Sequence, residues 1–151
     1  MDGVAIMAPG DRADLFKETA ARMSIHEVVV EKDFWVCWLL KHLFSIPGLD
    51  GWLTFKGGTS LSKCFNLIPR FSEDIDLAVN FERLGFTGER DPRREDLSYT
   101  KRQPLLDEML ETCRRFIAGQ FMDFLKTRIT DVLGGDVWRL EVNNHAPLID
   151  L

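Results

Sequence analysis

Cysteine is scarce in this chain and has no pattern: Cys37, Cys64 and Cys113 are odd in number and scattered. That excludes a disulfide framework and the paired spacings of a zinc site, and leaves reduced thiols as buried filler. Long apolar runs are missing as well. The longest, 34–46, is interrupted by Lys41 and His42 and falls short of the roughly 20 residues a membrane helix needs. The first residues carry Asp2 and Asp11 instead of a basic-then-apolar leader, so the expectation is a cytoplasmic protein with no membrane partner. His26, His42 and His145 share no spacing that would make a catalytic dyad or a metal site. There is no repeat and no low-complexity segment. Positive charge is not in excess either. A net charge of −5 argues against a protein that coats nucleic acid without specificity, although a local basic patch can still hold an RNA.

What is present is an ordinary globular composition. With 45% hydrophobic and 28% charged residues over 151 positions, the chain is expected to bury one core and form one domain. Residues 1–10 read as a disordered N-terminus, and 11–151 as the folded domain. Asp11 can cap a first helix to about residue 22. Ser24-Ile25-His26-Glu27 fits a capping box for a second helix, 24–44, that stops at Pro47-Gly48. The β-branched run 28–30 makes a strand the competing reading of its first turn. Residues 52–55 read as a core strand, and 80–102 as a long polar loop. Pro104 then opens an amphipathic helix, 105–125. Gly134-Gly135 reads as a hairpin or cap, and 137–142 alternates as a later strand. Arg90, Arg93, Arg94, Lys101, Arg102, Arg114, Arg115, Lys126 and Arg128 cluster near many acids, and either balance them on solvated surfaces or form a local basic patch.

The chemistry concentrates in 55–79, FKGGTSLSKCFNLIPRFSEDIDLAV. Gly57 and Gly58 lack a Cβ, so a phosphate can approach their amides closely. Thr59 and Ser60 stand where a short helix, 60–66, should start, and a helix N-terminus offers unpaired N–H groups and a positive dipole end. Asp74 and Asp76 lie two apart on a strand, so both carboxylates point to one face while Ile75 and Leu77 point to the other. Two converging carboxylates are hard oxygen ligands of the kind Mg²⁺ or Mn²⁺ takes, leaving positions for water and phosphate. Lys56 and Lys63 flank the turn, and either can contact a triphosphate. Lys63 has a second reading, as an extension from the exposed face of its short helix. Arg70 and Ser72 sit before the acidic strand, placed for a phosphate or for orienting a carboxylate, with an ion pair from Arg70 to Glu73 or Asp74 as the rival.

The string Lys56-Gly57-Gly58-Thr59-Ser60-Leu61-Ser62-Lys63, followed by Arg70-Phe71-Ser72-Glu73-Asp74-Ile75-Asp76-Leu77, resembles the AbiEii/AbiGii toxin family of the polymerase-β-like nucleotidyltransferase superfamily. Upstream, Glu31-Lys32-Asp33-Phe34-Trp35-Val36 resembles the family's Glu-Lys-Asp-aromatic helix. The resemblance covers 31–79 and thins beyond Asn80. It implies an α/β (α+β) fold, with a small mixed sheet packed by helices. It also implies a Mg²⁺-dependent transfer of a nucleoside monophosphate from an NTP to an RNA acceptor, a tRNA 3′ end among them, and a cognate antitoxin as partner. On this reading Asp74, Asp76, Ser60 and Lys63 are candidate catalytic residues. Lys56, Gly57, Gly58, Thr59, Ser60, Arg70, Ser72 and Lys32 are candidate nucleotide contacts. The superfamily adds a third carboxylate on a later strand, for which Glu141 is the candidate, and relatives continue into a C-terminal helical part. The alternative is a catalytically incomplete nucleotide-binding or partner-binding module, whose exposed apolar face would favour a homo-oligomer.

Overall fold

The computed structural model describes residues 1–63, 74–135 and 138–141. Its first departure from expectation lies at the N-terminus, where Asp2–Ala5 form a short helix, α1. Four residues cannot sustain a helix alone. Docking supplies what propensity lacks: Ala5 is buried, and the Asp2 carboxylate accepts from Trp38 Nε1 at 3.1 Å, Lys41 Nζ at 2.9 Å and His42 Nε2 at 2.9 Å. These bonds, Lys41's first and His42's next, pull the Asp2 pKa down to about 2.

Helix α2, Pro9–Met23, has Ala8 and not Asp11 at its N-cap. Proline suits the first turn because its missing N–H would have had no helical partner there. The end of α2 overturns the capping box. Ser24 takes the left-handed conformation (φ 56°, ψ 40°), with its N–H on the Ala21 carbonyl and the Ile25 N–H on that of Ala20. That double bond pattern closes a helix C-terminus. Helix α3, Glu27–Leu43, is instead capped by His26, whose Nδ1 accepts from the Val28 N–H at 3.3 Å. Helix prevails over strand at 28–30, since α3 carries Val36, Trp38, His42 and Leu43 into the core.

Strand β1, Leu53–Lys56, leads into helix α4, Gly57–Lys63, and β2, Asp76–Val79, returns antiparallel beside β1. The register pairs Leu53 with Val79, Phe55 with Leu77 and Lys56 with Asp76. Leu53, Ile75, Leu77 and Val79 pack on the core, so Thr54, Lys56 and Asp76 take the other face. The α+β class stands, although the sheet among the described residues is this antiparallel pair and not a mixed sheet.

Helix α5, Tyr99–Phe116, passes through a π-helical turn, Ile117–Phe121, into α6, Met122–Leu133. It begins earlier than expected, with Pro104 inside it. The ladder bond Pro104 forfeits is to Thr100, an exposed residue whose carbonyl can turn to water. The expected apolar stripe faces inward: Phe116 and Leu125, with Ile129 beyond the expected helix, join Ala5, Trp38, Leu43, Ile46 and Leu49 in one core, with Trp52 stacked on Phe116 at 4.6 Å. The 80–98 segment is a loop with one 3₁₀ turn, Gly88–Arg90, and it is anchored by fully buried Phe86, over which Arg90 stacks at 4.5 Å. Its arginines balance local acids: Arg90 pairs with Glu108, Arg93 with Asp91 and Glu82, Arg94 with Asp96. Gly134 (φ 79°) caps α6. Trp138–Glu141 are not a strand, which corrects the reading of 137–142; Val137 and Val142 lie outside the described residues.

Candidate active site

The site forms where β1 hands the chain to α4. Gly57 has φ +71°, a backbone region that side chains disfavour. It also has no room for a side chain, because a Cβ there would lie 1.9 Å from Asp76 Oδ2 and 2.7 Å from Asp76 Cγ. The carboxylate of the acidic strand is therefore seated directly against the glycine turn. Antiparallel pairing causes this, since Lys56 is opposite Asp76 and Gly57 follows it. Lys56 and Asp76 share the solvent face of the ribbon.

The two hydroxyls at the start of α4 are turned inward. Thr59 is fully buried, and its hydroxyl donates to the Asp74 carbonyl at 2.5 Å. Ser60, also buried, donates to the Gly57 carbonyl at 2.8 Å. The first bond ties α4 to the approach to β2, and the second closes the glycine turn on itself. Both side chains brace the turn, which leaves its backbone as the part that can meet a phosphate.

Asp74 and Asp76 are exposed, and among the described residues neither carboxylate takes a hydrogen bond or ion pair. Such solvent-facing, uncommitted oxygens fit a hard divalent cation as two protein ligands, the number Mg²⁺ commonly takes beside phosphate and water. Among the described residues no three His, Cys, Asp or Glu side chains come together. Glu141, the expected third carboxylate, is exposed and ion-pairs with Arg139. Lys63 pairs with Asp33 of α3, and Lys32 is exposed on the same helix. Gly58 lies half-buried in α4. Arg70 and Ser72 lie outside the described residues. Asp33, named in sequence only as part of the Glu-Lys-Asp motif, meets Lys63 of the glycine motif; the cue lacking from sequence was this partner, 30 residues away.

A glycine turn between strand and helix, with Asp76 opening the neighbouring strand and Asp74 two residues before it, outside the strand that the sequence assigned to both, has the layout of a nucleotidyltransferase-type α+β domain. The family model described as "Nucleotidyl transferase AbiEii toxin, Type IV TA system" matches residues 38–149, most of the 151-residue chain, and the chain belongs to that family. The match runs well past Asn80, where the motif resemblance thins, and begins after the Glu31-Lys32-Asp33 motif. A nucleotide substrate and a cognate antitoxin follow from the family. No curated protein and no solved structure matches the chain. No helix among the described residues is long and apolar enough to cross a membrane.

Proposed function

We propose that this domain transfers a nucleoside monophosphate from an NTP to the hydroxyl of an RNA acceptor, in the manner of a tRNA 3′ end, in the cytoplasm, and that a cognate antitoxin restrains it. The observation that supports this reading is the seating of the Asp76 carboxylate against Gly57, which brings one of the two candidate ligands to the candidate phosphate turn. Asp74 and Asp76 would hold the cation. Mg²⁺, when bound, supplies charge neutralisation and alignment to the triphosphate. The backbone of Gly57 and Gly58 fits the phosphates, with Lys56 beside Asp76 on the same face to meet their charge. As the acceptor oxygen bonds to the α-phosphorus, the bond to pyrophosphate breaks and the hydroxyl proton leaves to a base. Arg70, Ser72 and Lys32 remain candidate nucleotide contacts.

A second reading has its own support. No third carboxylate joins the pair among the described residues, and Glu141 is engaged by Arg139. On that reading the chain binds NTP without turning it over. Incubation with each α-labelled NTP, Mg²⁺ and bulk tRNA, beside an Asp74→Asn/Asp76→Asn variant, decides between them. Label on RNA that the variant loses supports transfer. Binding by calorimetry without label supports the incomplete module, and absence of both overturns the two readings together.

A further inference from the structure

We propose that Asp33 is a positioning residue for the phosphate turn, acting through Lys63; its functional consequence rests on the nucleotidyl-transfer reading above. The pair joins helix α4 to helix α3, from a different part of the chain. Helix α4 packs on β1 and β2. At its N-terminal end it is fastened to the sheet by Thr59 and the Asp74 carbonyl. At Lys63, six residues beyond Gly57, it is fastened to the helical layer by the ion pair to Asp33 Oδ1. An element fixed at one end can pivot about that point, whereas one fixed at both cannot.

Burial and connectivity distinguish this pair from a surface ion pair. The Lys63 and Asp33 side chains are 23% and 38% exposed, so solvent screens them only in part. The second Asp33 oxygen accepts a weak contact from Cys37 Sγ at 3.9 Å, one turn along α3. Lys63 thus spends its charge on anchoring α4, where sequence alone offered it as a phosphate contact or as an extension from the exposed face of its helix. The Glu-Lys-Asp motif of α3 and the glycine motif of α4, separate in sequence, become one unit through this strut.

The test compares Asp33→Asn, Lys63→Gln and the charge-swapped double variant Asp33→Lys/Lys63→Asp in the full chain. Hydrogen exchange of the amides in 57–63 is the first readout, with those in α6 as the internal reference. Each single variant is expected to exchange about fivefold faster in 57–63 with α6 unchanged, and the swap to restore the wild-type rate. The NTP KM should rise about fivefold in the single variants with the RNA KM unmoved, and fall back in the swap. Unchanged exchange in the single variants, equal acceleration in α6, or a swap that restores neither readout overturns the proposal. A lysine needed on the triphosphate would leave the swap defective in KM. If the wild type transfers no nucleotide, the function above fails, and exchange alone decides the strut.

Discussion

Replacing Gly57 by alanine tests the geometry on which the site depends. Two costs are separable. The left-handed backbone at φ +71° disfavours any L side chain by roughly 1–2 kcal/mol. The new methyl would also stand 1.9 Å from Asp76 Oδ2 and 3.0 Å from Asp76 Cβ. Rotation about χ1 can carry the carboxylate away at little cost, because Asp76 faces solvent. It cannot move the Cβ, so β2 must also give by a few tenths of an ångström. The stability loss stays near the backbone term, which lowers Tm by roughly 2–8 °C for a chain of this size. Most domains have several times that in reserve.

Function should suffer far more than stability. On the proposed reading Asp76 is a metal ligand, and a ligand displaced by an ångström costs on the order of a hundredfold. Mg²⁺-dependent NTP affinity, read by calorimetry beside a thermal melt, should therefore collapse in a variant that is still folded. Gly10→Ala is the control: it lies in α2 with nothing within 4 Å of the added Cβ and should gain roughly 0.5–1 kcal/mol. A Gly57→Ala protein that binds Mg²⁺–NTP like wild type would refute the seating of Asp76 as the basis of the site.

Three further outcomes follow from the fold. Ser24→Gly should raise stability by roughly 0.5–1 kcal/mol, measured by urea unfolding, because Ser24 occupies the left-handed cap that glycine fills without strain. Thr59→Val keeps the shape but leaves the Asp74 carbonyl without its donor, so it should cost about 1–3 kcal/mol in the same assay. Asp2→Asn should alter the acid limb. The Asp2 pKa is about 2 when folded against 3.8 for the free group, so its stabilisation is full above pH 4 and lost as pH falls towards 2. Acid unfolding followed by tryptophan fluorescence should show a shallower dependence over that interval in the variant, and an unchanged profile would count against the Asp2 clasp.

How much of this was legible in sequence depended on how local the cause was. The glycine turn and the alternation of 74–79 were readable because strand period and glycine's freedom act within a few residues. Their convergence followed from one strand pairing. Ser24 misled because Ser-x-x-Glu is a sound capping signal, and nothing within four residues reveals that the preceding helix will claim the serine for its own end. The N-terminus misled for the opposite reason. Residues 1–10 contain no strong local signal, and their order comes from Trp38, Lys41 and His42, some 36 to 40 residues away. The strand expected at 137–142 rested on alternation alone, and among the described residues Trp138–Glu141 pair with no strand, without which alternation does not make one.

The polar residues of the glycine motif divide by where their groups are spent, a division that sequence could not supply. Thr59, Ser60 and Lys63 are engaged inside the protein, with a carbonyl, a carbonyl and a carboxylate. Asp74 and Asp76 face solvent with no partner among the described residues. A group already satisfied in the folded chain must give up that bond before it can meet a substrate, and the exchange gains little. A free carboxylate gives up only water. On the proposed reading the chemistry therefore falls to the two aspartates and to the backbone of the turn, while the hydroxyls and Lys63 brace that backbone. The proposed roles predict that the two halves fail differently: losing the carboxylates would remove reactivity from a stable fold, and losing the braces would move the site out of register.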